Sequence, residues 1–344
     1  MQQKRVTSKD VAEKVGVSRT TVSLVLNNVQ GIQISSETRQ RVIDAAHELG
    51  YVPDATAQAL VSRRTKAIGL VLTRSQHHIA ADAFLPKIIS GLLTTAKKQN
   101  IRILVDWVET EHQESAYFEL ARAKRIDGMI LSTPRLNDKA LKALENVDIP
   151  TVMMGSISGS KLPFVDVDNI KAAEKATSYL IELGHRDIAC ISNAPPEYTA
   201  APERVAGYRN VLSRMNVPIN EKLVCYADFD PESGYDCMKS ILQSGEKFTA
   251  AFVASDNVAI GAKAALREAN MRIPEDISLI GFDDIPWAKY SDPPLSTIRL
   301  PAEALAQSAC TLLLDMIQGN ENRQNNHLIL ETELIIRQSC KAIQ

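Results

Sequence analysis

Between Asp10 and Asn27 the chain reads DVAEKVGVSRTTVSLVLN, and its polar side chains are spaced in a way that could do chemistry. Advancing about 100° per residue from Arg19 places Arg19, Thr20, Ser23, Leu24 and Asn27 in one arc of roughly 140°. Thr21, Val22, Val25 and Leu26 fall on the opposite side, where they can pack on Val11, Ala12 and Val15 of a preceding helix. A polar face with donors near its N-terminal end, backed by an apolar face, is what a helix needs to lie in the major groove of DNA. Arg19 can give two hydrogen bonds to guanine O6 and N7, about 1–3 kcal/mol of discrimination. Thr20 can bond a base edge or pack on a thymine methyl. Thr7, Ser18, Thr21 and Asn27 suit phosphate oxygens, helped by the helix N-terminus. The same spacing is also that of an ordinary amphipathic helix pair with solvated polar residues, and spacing alone does not separate the two.

The elements that must hold this face are short helices with punctuation. Ser8 is placed to cap Lys9–Val15, Gly16 breaks that helix, and Ser18 caps a second one from Arg19 to about Asn27. After the polar stretch Asn28–Ile34, Ser35 or Ser36 caps Glu37–Leu49, which Gly50 ends. Pro53 and a short segment, Asp54–Ser62, lead to a basic exit at Arg63, Arg64 and Lys66. From Ala67 the pattern changes. Apolar runs at Ile68–Leu72, Ile103–Val108, Gly128–Leu131, Thr151–Met154, Ile188–Ile191, Ala250–Ala254 and Leu279–Phe282 alternate with helical stretches. The helices are expected near Leu85–Lys97, Gln113–Arg125, Asn169–Leu183, Arg204–Met215, Pro231–Gln243 and Val258–Ala269. Such alternation means parallel sheets built from βαβ units, and their number points to two Rossmann-like lobes. The expected division is an all-α helix-turn-helix headpiece over 1–53, a hinge or linker over 54–66, and an α/β core over 67–344. The lobe boundary falls near Lys161–Val167, and the chain crosses back near 295–325. Ligands of open α/β sheets bind beyond the carboxyl ends of strands, which here means the cleft between lobes.

The bulk numbers fit. Of 344 residues, 45% are hydrophobic and 23% charged, and the net charge is only −2. That charge is uneven: residues 1–66 carry ten Lys/Arg against six Asp/Glu, so a basic head sits on an acidic body. The five cysteines, Cys190, Cys225, Cys237, Cys310 and Cys340, are odd in number and scattered, with no C-x-x-C. They read as reduced thiols, with neither a disulfide framework nor a metal site. The N-terminal stretch has no apolar core of a signal peptide, and no run reaches the roughly 18 apolar residues of a membrane helix. A cytoplasmic protein with no membrane contact is expected. G-x-S-x-G, the P-loop and G-x-G-x-x-G are all missing, so an enzyme and catalytic residues are not expected. His185, beside Arg186 and Asp187, sits in a helix-to-strand turn and reads as structural. No cofactor is expected.

Val6-Thr7, Asp10-Val-Ala, Gly16-Val-Ser18, Thr21-Val-Ser23, Val25-Leu-Asn27, Thr38-Arg39 and Leu49-Gly-Tyr-Val-Pro53 together resemble the headpiece of the lactose-repressor (LacI/GalR) family. The core resembles it too, through Gly69, Gly128, Leu183-Gly-His-Arg186, Arg204-Val-Ala-Gly207, Ser255-Asp-Asn-Val-Ala-Ile-Gly261, Ile277-Ser-Leu-Ile-Gly-Phe-Asp-Asp284 and Pro293-Pro-Leu-Ser-Thr-Ile298. The resemblance implies a periplasmic-binding-protein-like core and a homodimeric repressor. It would bind palindromic double-stranded operator DNA and respond to a small-molecule effector, most commonly a sugar. A purine or nucleoside corepressor in the same architecture is the alternative. No heptad tail follows Leu334–Ile336, so a dimer is expected rather than a tetramer. Ser23, Thr38 and Gln58 complete the candidate DNA contacts. Asp54–Ser62 is too short to be a stable helix alone. The resemblance implies that it folds on DNA, with Leu60 wedged between base steps of the minor groove.

In the cleft, the resemblance implies that Arg204 binds ligand hydroxyls or carbonyls, that Asp283 accepts from hydroxyls, and that Phe229 packs on the ligand ring. A guanidinium and a carboxylate on two sides of a sugar suit vicinal hydroxyls. Asp82, Phe84 and Ser132 fall in matching first-lobe loops, and Ser255 stands where the family commonly has Asn. Other departures are Leu24 in place of Arg, a stretch Asn28–Ser36 about two residues longer, and Asp54 in place of Asn. Gly155 and Ser156 stand where charged residues are frequent, and Leu300 and Ala302 replace larger residues. These shorter groups leave more room or fewer direct bonds, and a carbohydrate larger than one ring is the expectation; Trp107, at the end of a strand, is either simple packing or an additional stacking surface.

Overall fold

The computed structural model describes residues 6–27, 31–54, 59, 62, 64–108, 113–136, 138–320 and 326–343. They form two compact units, Met1–Lys66 and Ala67–Gln344. Among the described residues no helix is long and apolar enough to cross a membrane.

The first unit holds α1 (Ser8–Val15), α2 (Arg19–Leu26) and α3 (Ser36–Glu48). The cap of α1 is Thr7, not Ser8. Asp10 accepts from both the backbone N–H and the hydroxyl of Thr7, each at 2.7 Å, in a reciprocal capping box. Gly16, at φ 76°, turns the chain into α2 in a conformation that costs glycine little. Ser18 caps α2 and Ser35 caps α3 through side-chain oxygens. The apolar faces of the three helices close one small core of Val11, Ala12, Val15, Val22, Val25, Val42, Ala45 and Ala46. Arg41 donates to the Val15 carbonyl at 2.6 Å, meeting an acceptor in the last turn of α1.

The second unit has two six-stranded sheets. The first contains β1 (Ala67–Leu72), β2 (Arg102–Trp107), β3 (Met129–Ser132), β4 (Thr151–Met154), β5 (Phe164–Val167) and β11 (His327–Leu330), in the order β11-β5-β4-β3-β1-β2. The second contains β6 (Ile188–Ile191), β7 (Val224–Cys225), β8 (Ala250–Val253), β9 (Ser278–Asp283), β10 (Ser296–Arg299) and β12 (Glu333–Ile335), in the order β12-β10-β9-β8-β6-β7. Every pairing is parallel except β10 with β12. β4, β6, β8 and β9 are buried at every position, as parallel strands covered on both faces must be.

The helices α4 (Gln76–Ala81), α5 (Leu85–Lys98), α6 (Gln113–Arg122), α7 (Lys139–Leu144) and α12 (Ala302–Gln318) go with the first sheet. The second sheet has α8 (Asn169–Glu182), α9 (Ala200–Arg214), α10 (Pro231–Gln243) and α11 (Asp256–Glu268). The chain passes between the sheets after β5, after β10 and again between β11 and β12. The apolar runs named β1–β4, β6, β8 and β9. They missed β5, β7, β10 and β11, which are short or lie toward a sheet edge, while the last apolar run, Leu334–Ile336, overlaps β12. They also missed α12, in which Leu312, Leu313 and Leu314 are all buried, so no one-sided stripe marks it.

Two details position the site. Gly207 on α9 lies so close to α8 that a Cβ there would sit 2.3 Å from the Ile170 carbonyl oxygen. His185 pins the turn before β6, its ring nitrogens meeting Thr249 Oγ1 at 2.9 Å, Ser278 Oγ at 3.0 Å and the Lys341 carbonyl at 3.1 Å. Burial lowers its pKa, as suits a neutral structural imidazole. The expectation that all cysteines are reduced thiols is corrected: Cys225 and Cys237 form a disulfide, because β7 and the middle of α10 bring them to a Cα separation of 5.7 Å. Cys190, Cys310 and Cys340 are free.

Candidate functional site

In the helical unit, α2 divides as its spacing predicts. Arg19, Thr20, Ser23 and Asn27 are exposed, Leu24 is half-buried, and Val22 and Val25 are in the core. The exposed face carries the Arg19 guanidinium and the Thr20 hydroxyl at the first turn, where the helix dipole is positive. Several predicted phosphate-contacting groups already hold local bonds. Ser18 Oγ accepts from the Thr21 N–H at 3.0 Å, and the two hydroxyls are 2.9 Å apart. Asn27 Nδ2 donates to Ser23 Oγ at 3.1 Å, and Ser35 donates to Thr38 Oγ1 at 2.9 Å. Thr7 is held by Asp10. These bonds fix the rotamers that a phosphate would meet. Gln58 and Leu60 lie outside the described residues, as does most of the hinge segment.

In the larger unit, one cavity between the lobes is lined by all seven predicted effector residues: Asp82, Phe84, Ser132, Arg204, Phe229, Ser255 and Asp283. They arrive from the carboxyl ends of different strands. Ser132 ends β3, Phe229 follows β7, Ser255 follows β8 as the N-cap of α11, and Asp283 ends β9. Arg204 comes from the second turn of α9. The chain leaves these strands through left-handed backbone at Thr133 (φ 62°), Phe229 (φ 66°) and Asp283 (φ 113°). Each such residue costs on the order of 1–3 kcal/mol, a strain concentrated where side chains turn into the cleft.

Arg204 is the central cation. Its Nε donates to Asn169 at 3.0 Å, its Nη1 donates to the Ala254 carbonyl at 2.7 Å, and its guanidinium lies 3.8 Å over the Phe282 ring. Asp283 Oδ1 is 3.8 Å from Arg204 Nη1. Burial pushes the Asp283 carboxyl up to about 6, while Arg204 and a hydrogen bond with Ser255 pull it down. Burial also raises Asp166, which accepts from the Ser156 hydroxyl at 2.8 Å. Glu203 rises to about 7 through burial and the nearby Asp166. Behind Asp283, Asp256 is raised well above the usual carboxylate range by burial. It accepts from Thr297 Oγ1 at 2.7 Å and the Ile285 N–H at 3.0 Å.

Several lining residues carried no signal in the sequence reading. Arg74, after β1, forms an ion pair with Asp82 and lies 5.0 Å from the Phe229 ring centre. Tyr198 meets that ring edge-on at 4.8 Å. Asn193, Asn169, Asn257, Asp166, Thr133 and Thr199 complete the polar lining. The lobes touch at both lips. At one, His77 Nε2 is 3.1 Å from Asp230, His78 Nε2 is 3.2 Å from Asp228, and Asn257 donates to the Ala81 carbonyl. At the other, the Leu136 N–H donates to Glu197 and the Tyr198 hydroxyl to Thr73.

Two expectations are corrected. Trp107 ends the edge strand β2, is 47% exposed, and does not line the cavity. Gly155 and Leu300 do line it, but they leave no spacious cleft. The cavity volume is about 170 Å³, below the roughly 300–1,000 Å³ of drug-sized pockets. Beside Gly155 the Pro134 ring fills the place of a side chain, its Cδ 2.6 Å from where a Cβ would sit.

Comparison with known proteins bears on both sites. The family described as bacterial regulatory proteins, lacI family, matches residues 7–54, and a periplasmic binding protein-like domain matches residues 177–340. The HTH-type transcriptional repressor CytR of Escherichia coli (strain K12) is 34% identical over 345 residues, covering 99% of this chain and 98% of the relative. The structure of the transcriptional regulator CelR–cellobiose complex superposes with a TM-score of 0.74 at 33% identity, covering 97% of this chain and 100% of that one. The Lac repressor dimer bound to operator and the anti-inducer ONPF gives a TM-score of 0.86 at 29% identity, covering 98% and 100%. A helix-turn-helix unit joined to a two-lobe α/β core with parallel sheets, matched along its length by such regulators, places this chain in the lacI family of bacterial regulatory proteins.

Proposed function

We propose that this transcriptional regulator is a repressor that binds a palindromic operator as a homodimer in the cytoplasm, and that a small carbohydrate in the inter-lobe cleft modulates it. The observation that carries the effector reading is the convergence of Arg204, Asp283 and Phe229 on one cavity. A fork of donors, a carboxylate acceptor and an apolar ring face are what vicinal hydroxyls on a pyranose or furanose need. The cavity volume favours one ring in the closed form, and a disaccharide such as the one named in the CelR complex requires the lobes to part. The Arg19–Thr20–Ser23 face reads base edges, with Thr7, Ser18, Thr21, Asn27 and Thr38 seated on phosphates and Gln58 and Leu60 in the hinge. One such face contacts too few bases for useful specificity, so two-fold pairing on a palindrome is required. Effector binding shifts operator affinity through its different affinity for two lobe arrangements.

The test has two stages. Selection from random duplexes with the full-length protein is expected to yield one palindrome. Fluorescence anisotropy on that palindrome, titrated with sugars, nucleosides and purine bases, is expected to show a shift with a sugar. A shift with a purine base or a nucleoside and none with any sugar would refute the carbohydrate reading in favour of a purine or nucleoside corepressor.

A further inference from the structure

Two of the three buried side-chain atoms that have no hydrogen-bond partner among the described residues belong to residues that line this cavity: Arg74 Nε and Asn193 Oδ1. Both residues are 91% buried, so each atom has been desolvated without a replacement partner. They come from opposite lobes, Arg74 after β1 and Asn193 after β6. The charges around them are already matched. Arg74 is paired with Asp82, and Arg204 has Asp283 beside it, while Asp166 adds a third carboxylate. No lysine lines the cavity among the described residues, and neither guanidinium lacks a carboxylate.

We infer that Arg74 and Asn193 are specificity-determining residues that bridge an uncharged, polyhydroxylated effector across the lobes, and that phosphorylated or carboxylated ligands are rejected. This rests on the carbohydrate reading above. Both atoms are enclosed in the unliganded protein; on binding, the side chains turn so that Arg74 Nε donates to a ligand oxygen and Asn193 accepts from a ligand hydroxyl. A hydroxyl both donates and accepts, so it satisfies Asn193 whichever way the amide is turned. A phosphate or carboxylate offers only acceptors. It would add charge to a wall of three carboxylates and two guanidiniums, with no unpaired cation to receive it.

The experiment is calorimetry on the full-length protein with matched probes: glucose and glucose 6-phosphate, ribose and ribose 5-phosphate, cytidine and cytidine monophosphate, and cellobiose. At least one uncharged probe is expected to bind, and its phosphate is expected to bind at least thirtyfold more weakly. Asn193→Leu and Arg74→Lys are each expected to weaken the bound probe tenfold or more. Asn193→Leu should do so without lowering the thermal midpoint of the unliganded protein, because it removes an unpartnered polar atom. A merely structural asparagine would lower that midpoint. Tighter binding of a phosphate ester than of its parent overturns the inference and leaves the sugar reading standing. Unchanged affinity in both variants overturns it likewise. Binding of no sugar, phosphorylated or not, overturns the carbohydrate reading, and binding of neither sugar nor nucleoside overturns the inference with it.

Discussion

Asp283 gives the sharpest prediction, because its proton should push binding and stability in opposite directions. Burial raises its carboxyl from 3.8 to about 6 in the folded, unliganded core. A sugar hydroxyl donates best to the ionised form. At pH 5 only about a tenth of the protein carries that form, against about nine-tenths at pH 7, so affinity should fall roughly tenfold, about 1.4 kcal/mol. Stability has the other sign. A carboxyl whose pKa is higher folded than unfolded contributes stability that is fully present below about 3.8 and lost as pH rises through about 6. The full span is on the order of 3 kcal/mol. Asp283→Asn mimics the protonated form. It should therefore stabilise the unliganded protein relative to wild type at pH 7.5 and keep only about half of that advantage at pH 5, while binding sugar weakly at both. Calorimetry with the sugar selected by the operator assay, at pH 5, 6 and 7.5, measures the first trend. Thermal unfolding of wild type and variant measures the second. Equal wild-type affinity across that range, or a variant with the wild-type slope, would refute the assignment of Asp283 as a hydroxyl acceptor.

The remaining predictions concern other links in the chain. Arg19→Ala should cost about 1–3 kcal/mol and relax preference at one symmetric pair of base positions; an unchanged selected motif would show that Arg19 reads no base. Gly207→Ala should destabilise by about 1–3 kcal/mol and weaken sugar binding, since a Cβ 2.3 Å from the Ile170 carbonyl must displace α9 and with it Arg204. Unaltered melting would mean that α8 and α9 separate freely. Reduction of Cys225–Cys237 should cost about 3 kcal/mol in the chain-entropy treatment of a loop this short, and should loosen the turn that carries Asp228, Phe229 and Asp230. Sugar affinity and melting are compared with and without reductant, and Cys237→Ser should abolish the difference.

The division between what was legible and what was not follows the range of the interactions. The recognition face of α2 was readable because a helix converts spacing directly into sides: Val22 and Val25 went to the core and Arg19, Thr20 and Ser23 to solvent. The strands β1, β4, β6, β8 and β9 were readable because a strand covered on both faces must be apolar throughout. The seven effector residues were named through likeness to a family, and they do line one cavity, but nothing local marked them. Arg74 shows the limit. Its sequence neighbours say nothing of Asp82 across a short helix, of Phe229 in the other lobe, or of an Nε left without a partner. The Cys225–Cys237 bond, the burial that lifts Asp283 to about 6, and the small cavity volume likewise depend on residues far apart in the chain. The sequence by itself thus determined the long apolar strands, the two faces of α2 and the family. The tertiary structure decided which charges are already matched, which polar atoms still want a partner and how much space remains, because those are sums over neighbours that only folding brings together.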